Sequence, residues 1–332
     1  HSSLVLYALE SRSHAPFEHI CDIPLCARVL AMDVKRDKEH KDTLYILTDH
    51  PTPRLVAFEP RSHFQVHTQR VWQLDESSRS PAELGLTLTL ECAYDHSSPG
   101  RWALTHVFTG NVYLASLESD VAFHARLDHA VLISCTFLER SSQKAPCTLA
   151  CLSISSDYAT AGMPVLTFYA IDESKQALRP VPWHESHVAL SQTNTRKVRR
   201  TDGNATYHVP LPEDDAYGAH YLLATPAYAG GGVLVFCEHV IFFVPRPSDR
   251  RRGKTRAEPR SARYQEIRME RGMHVESATC LLSQHQDELH FRVLLSTTRG
   301  AMYILTVSSS TNTWETIHMH LLRLQMSSVA TS

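Results

Sequence analysis

Apolar residues along this chain fall in short runs broken by turn-forming residues, and the pattern is clearest between Ala219 and Val244. Val233 to Cys237 and Val240 to Val244 are separated only by Glu238 and His239, the loop length of a tight β-hairpin. Tyr221 to Thr225 precedes them across Pro226 and the glycines Gly230, Gly231 and Gly232. Glycine enters positive φ without a Cβ clash, and Pro226 stops the first strand from continuing, so three antiparallel strands folded in sequence are predicted. Val, Ile and Phe on adjacent positions mean strands covered on both faces, because a half-exposed strand alternates with polar residues. One small sheet cannot cover both its own faces, so other sheets must stack on it.

The same grammar recurs along the chain. The first group holds Leu4 to Leu9, Leu25 to Val34, Thr43 to Thr48 and Arg54 to Phe58, with Asp49 to Pro53 as a turn. Leu84, Leu86, Leu88, Leu90, Cys92 and Tyr94 alternate with Thr87, Thr89 and Glu91, a period of 2 that predicts a strand with the polar set facing away. Trp102 to Phe108 and Val112 to Leu117 follow, joined through Thr109-Gly110-Asn111. The third group is Val131 to Leu138, Thr148 to Ile154 and Val165 to Ile171. The last is His274 to Leu282, Leu289 to Ser296, Ala301 to Val307 and Thr313 to Leu322. Gly300-Ala301-Met302-Tyr303-Ile304 echoes Gly110-Asn111-Val112-Tyr113-Leu114, a Gly turn feeding an apolar strand with Tyr at the same place.

Two stretches break the rhythm. Residues 173–215 are rich in Pro, charge and His and are predicted as a long loop, with one strand near Ala205 to Val209. Residues 245–271 carry many Arg and almost no large apolar side chain before Ile267, so they bury too little surface to offset chain entropy. No capped run with helical spacing occurs. Meanders of three or four strands recurring at about 40–50 residues are the signature of a β-propeller, and about seven such blades fit this length. The expected fold is therefore all-β, a seven-bladed β-propeller of a divergent WD-repeat-like kind. It forms a single domain over 1–326 whose last blade this stretch leaves incomplete. The chain lacks a Trp-Asp dipeptide and a Gly-His pair. A β-sandwich of this length would need two domains and a linker.

Composition narrows the function classes. At 332 residues with 43% hydrophobic and 20% charged, the chain can build a large core. A net charge of −2 gives no general case for nucleic acid or membrane. No apolar run reaches the roughly 18 residues of a membrane helix, and the first residues show no signal-peptide pattern. Because it starts at His1, the chain is expected to be a fragment. Cys92, Cys135, Cys151, Cys237 and Cys280 sit inside apolar runs and read as buried reduced thiols, placing the protein in the nucleus and cytoplasm.

The search for chemistry is mostly negative. G-x-S-x-G, H-E-x-x-H, Walker and G-x-G-x-x-G patterns are missing, and the triple glycine opens no helix, so no enzyme and no cofactor are expected. His184 with His187 and Cys147 with Cys151 have short spacings, but structural zinc needs four converging ligands and these pairs do not combine, so no metal is expected. Cys147 and Cys151, four apart on a strand, are expected on one side of it. Two basic runs are the candidate polyanion or import contacts: Arg196, Lys197, Arg199 and Arg200, then Arg250, Arg251, Arg252, Lys254 and Arg256. Tyr264 alone is too little aromatic surface for a base-stacking platform, and Asn204-Ala205-Thr206 is a glycosylation sequon by pattern only.

Several of these strands resemble one family. Lys41 to Thr48 with Leu55 to Glu59, Met163 to Asp172, and Leu223 to Pro226 with Val233 to Phe236 and Glu238 are similar to the first propeller of the DNA damage-binding protein 1 family. The cleavage and polyadenylation specificity factor large subunit and the propeller subunit of splicing factor 3b share the features. The resemblance implies a nuclear, non-enzymatic scaffold. In the damage-binding branch it links a cullin-type ligase subunit to substrate-receptor propellers. In the sister branches it is a scaffold of pre-mRNA 3′-end processing or splicing, with nucleic acid reached through the basic loops. No membrane partner is implied. The loops at 173–215 and 245–271 depart from the family pattern, and no contact residue carries over.

Overall fold

The computed structural model describes residues 2–9, 17–25, 27–35, 43–49, 54–60, 66–74, 86–91, 101–127, 131–140, 146–154, 164–181, 208–210, 218–229, 231–246, 266–269, 274–281, 290–309 and 317–324. Among them the regular structure is β-strand with two short 3-10 turns. The chain divides into two compact units, His1–Leu127 and Asp128–Ser332.

In the first unit, β1 (Ser2–Leu9) and β2 (Phe17–Leu25) form an antiparallel pair. The meander β3 (Val29–Lys35), β4 (Thr43–Thr48), β5 (Arg54–Pro60) and β6 (Val66–Gln73) makes a four-stranded sheet in sequence order. A second four-stranded sheet follows the same order: β7 (Thr87–Leu90), β8 (Trp102–His106), β9 (Asn111–Ser116) and β10 (Ala122–Arg126).

The second unit repeats the design three times. Its first sheet is β11 (Val131–Leu138), β12 (Thr148–Ile154), β13 (Pro164–Asp172) and β14 (Ala177–Pro180), with β15 (His208–Pro210) also on β13. β14 pairs with Tyr169–Asp172 and β15 with Val165–Thr167, so the two share the row beyond β13. Next come β16 (Tyr221–Thr225), β17 (Gly232–Phe236), β18 (Val240–Pro245) and β19 (Glu266–Arg268). Last are β20 (Val275–Leu281), β21 (His290–Thr297), β22 (Met302–Ser309) and β23 (Ile317–Arg323).

The double-sided apolar runs have the predicted cause. In β17 and β18, Val233, Val235, Val240, Phe242 and Val244 pack with Leu152, Leu166 and Phe168 of the sheet before. The alternate residues Leu234, Phe236, Ile241 and Phe243 pack with Phe291, Val293 and Leu305 of the sheet after. Every one of these is 5% exposed or less, if at all. Burying a Phe or Leu side chain this fully stabilises by about 1.5–3 kcal/mol, so stacking of sheets carries the fold. In the first unit, Tyr45, Leu47, Leu55 and Trp72 meet Leu88, Leu90 and Ala115 in the same way.

First strands of successive sheets lie side by side: β3 with β7, β11 with β16, and β16 with β20. Meanders stacked face to face with their first strands adjacent are the blades of a β-propeller. The sequence predicts about seven; the described residues hold five full sheets and the β1–β2 pair.

Turns follow their residues. Cys237 N–H donates to Val240 O at 2.9 Å, closing the two-residue Glu238-His239 turn. Gly110 and Gly300 have φ of 73° and 72°, and each introduces the third strand of its sheet, so the sequence echo marks equivalent positions.

Four expectations change. Leu25 to Val34 is not one strand: β2 ends at Leu25 and β3 begins at Val29. The Leu84 to Tyr94 strand shortens to Thr87–Leu90 among the described residues. Glu91, expected on the outward polar face, is 4% exposed, and its Oε2 accepts from Arg101 N at 2.8 Å. The stretches 173–215 and 245–271 are not loop throughout. Beyond the strand expected near Ala205 to Val209, which β15 overlaps, they contribute β14 and β19, because each sheet has an unpaired third strand whose backbone groups recruit even a polar segment.

Candidate interaction surface

Several polar side chains join one sheet to the next. The first strand of each sheet is an edge with unpaired backbone groups, and the neighbouring sheet supplies partners for them. Leu90 N–H donates to Asp33 Oδ2 at 3.2 Å, tying β7 to β3. Leu222 N–H donates to Ser134 Oγ at 3.2 Å, tying β16 to β11. Tyr221 OH and Cys280 Sγ reach the carbonyls of Ala278 and Ala224, tying β16 to β20. Arg70 Nη1 donates to Ser119 O at 2.9 Å, pairs with Asp120 and lies 5.1 Å over the Trp72 ring.

A second joint sits between β11 and the β16–β17 connection. Ala227 N–H donates to Glu139 Oε2 at 2.6 Å, while the Arg246 guanidinium donates to Glu139 O at 3.0 Å and Pro146 O at 3.3 Å. Burial pushes the Glu139 carboxyl up to about 7, against the opposing pull of the Ala227 N–H. Burial likewise raises Asp33, opposed by the N–H groups of Val34 and Leu90. These carboxyls face main chain within the joints.

Thiol chemistry is blocked by the same burial. Cys135 and Cys151 stand opposite each other on β11 and β12, both buried and free. Burial drives Cys135 up to about 12 and Cys151 well above its ordinary value, so neither supplies thiolate near neutral pH. Cys147 and Cys237 are buried and Cys280 is half-buried; Cys92 lies outside the described residues. Among the described residues no group of three or more His, Cys, Asp or Glu could hold a metal ion. None of the described helical segments is long and apolar enough to cross a membrane.

What remains for partners is surface. Met32, Ile46, Val56 and Val71 line up across β3 to β6 on the face opposite the Tyr45–Trp72 core, with Ile46 buried and Val56 half-buried in the middle and only the outer two exposed. Met32 is 63% exposed and Val71 45%. Val34, 45% exposed, extends the row on β3. On the far face of the last sheet Leu281 and Leu322 are exposed, and Tyr228 projects from the short 3-10 turn Ala227–Ala229. Such residues offer apolar contact without a reactive group.

The basic candidates Arg196, Lys197, Arg199, Arg200, Arg250, Arg251, Arg252, Lys254 and Arg256 all lie outside the described residues, as do His184, His187, Asn204 and Tyr264. Sequence reasoning missed Asp33, Ser134 and Glu139. Their partners are 57, 88 and 88 positions away, so no local pattern marks them. The exposed Met32, Val34 and Val71 were legible only as strand residues, because the sequence does not say which side chains a neighbour covers.

No curated protein matches the chain. The sequence model of one family, the RSE1/DDB1/CPSF1 first β-propeller, matches residues 3–332. That span contains every sheet described above, and its all-β character and stacked four-stranded meanders agree with it. The chain belongs to the RSE1/DDB1/CPSF1 first β-propeller family.

Proposed function

We propose that this protein is a non-catalytic interaction scaffold that joins a cullin-type ubiquitin-ligase subunit to substrate-receptor propellers in the response to DNA damage, acting in the nucleus and cytoplasm. The observation that supports it is family membership over residues 3–332, on a fold in which the buried carboxyls of Asp33 and Glu139 accept main-chain N–H groups at sheet joints. A stacked-sheet core tolerates change in its loops and exposed faces, which is what an adaptor with interchangeable partners requires. Contacts of this kind rest on a few aromatic, aliphatic or Arg anchors.

The family takes its name from three members, and the rival reading is a scaffold of pre-mRNA 3′-end processing or splicing, with nucleic acid reached through the basic loops. Affinity purification of the tagged full chain, followed by mass spectrometry, separates the two. Recovery of a cullin and receptor-type propellers supports the adaptor. Recovery of pre-mRNA processing subunits without a cullin moves the chain to the rival role.

A further inference from the structure

We propose that His220 and His274 form an acid-sensitive latch across the joint between the β16–β19 and β20–β23 sheets. His220 immediately precedes β16 and His274 immediately precedes β20, the two adjacent first strands. Their imidazole rings stack with centroids 3.7 Å apart and planes 20° from parallel. His220 Nδ1 is 2.8 Å from Gly218 O on its own side of the joint, and Nε2 is 2.9 Å from Val275 O on the other. Both partners are carbonyl oxygens, which accept and cannot donate. A neutral imidazole has a single N–H and can satisfy one of them, whereas the imidazolium donates to both.

Protonation therefore acts in two opposed ways. A proton taken from solvent onto His220 completes a bridge from Gly218 O to Val275 O. With the more exposed His274 protonated as well, two like charges stand face to face at stacking distance, and the rings must part. Burial is the main cause holding His220 below the ordinary histidine value; the neighbouring His274 adds to it, while the two carbonyls and Glu238 oppose it. Because the folded state binds the His220 proton less readily than the unfolded chain, the stability it governs is whole above the ordinary histidine range. It is lost as pH falls through it.

Among the described residues, the charged and titratable groups on the elements around the pair include Glu238, His239, Glu276 and Arg299. Glu238, in the β17–β18 turn, is the carboxylate acting on His220, and His239 lies 3.8 Å from it. Glu276 follows on β20, and Arg299 sits in the turn whose Thr298 N–H donates to His274 O. β11, packed on the other side of β16, meets it here through the Ser134 hydroxyl. With both rings charged at stacking distance, the stack is the group that yields.

Two measurements on the full chain test the latch. Proton NMR titration of the histidine rings is expected to show His220 titrating lower in the wild type than in His274→Phe, the mark of coupled sites. Hydrogen exchange of the Val275–Leu281 amides, corrected for intrinsic rates, should rise about tenfold between pH 7.5 and pH 5 in the wild type. His274→Phe keeps a stacking ring and removes the second charge, and should flatten that rise. An equal rise in His274→Phe, or His220 titrating identically in the wild type and His274→Phe, overturns the proposal.

Discussion

Glu139 carries a free-energy cost that the structure allows to be sized. Its carboxyl sits at the joint between β11 and the β16–β17 connection, with the Ala227 N–H 2.6 Å from Oε2, and burial raises it from an ordinary 4.5 to about 7. A raised carboxyl binds its proton more tightly in the folded state, so folding takes up a proton between those two values. The cost is absent below about pH 4.5, grows through the window and is complete above about pH 7. At roughly 1.4 kcal/mol per tenfold in proton affinity, the full cost is about 3 kcal/mol. Glu139→Gln removes the charge and keeps an oxygen for the Ala227 N–H, whose stronger bond to the carboxylate is already counted in the raised value. The expected gain is thus about 3 kcal/mol at pH 8 and near zero at pH 4.5. Urea unfolding at pH 8, 6.5 and 4.5 reads it as a shift in midpoint at constant slope. A variant no more stable than the wild type at pH 8, or one whose gain does not shrink with acid, refutes the reasoning.

Other outcomes follow from the same picture. Phe242→Ala, at a side chain buried between two sheets, should cost about 3–5 kcal/mol in denaturant unfolding, and a loss under about 1 kcal/mol would contradict the two-sided packing. Gly110→Ala, at φ 73° with open space around the added methyl, should cost about 1 kcal/mol from backbone strain alone, so a neutral thermal melt would count against that turn. Val71→Glu at the exposed residue on β6 should change stability by less than about 0.5 kcal/mol yet weaken co-purification of protein partners; full recovery of all partners would remove that position from the interaction surface. Deleting residues 250–256 should reduce polyanion affinity and flatten its salt dependence if the basic loop reaches nucleic acid, and an unchanged slope discards that role.

How much was legible differs by strand position. Thr43–Thr48, Val131–Leu138, Thr148–Ile154 and Tyr221–Thr225 have the bounds their apolar runs predict. Val66–Gln73, Ala122–Arg126, Ala177–Pro180 and Glu266–Arg268 were not visible as strands. Each is the outermost row of its sheet, where few side chains enter the core and the backbone of the preceding strand selects the partner. Leu25 to Val34 failed as one strand because periodicity carries no information about where a chain changes sheets.

The sequence by itself determined an all-β chain of repeated meanders, since runs of Val, Ile, Leu and Phe too short for helices can be hidden only inside stacked sheets. It determined the Gly110 and Gly300 turns as well, because a positive φ is local. Tertiary structure alone decided which residues share a joint and which face is left to solvent. Glu139 and His220 acquire their shifted titration only when strands distant in the chain close over them, for burial and hydrogen-bond partners are properties of neighbours in space.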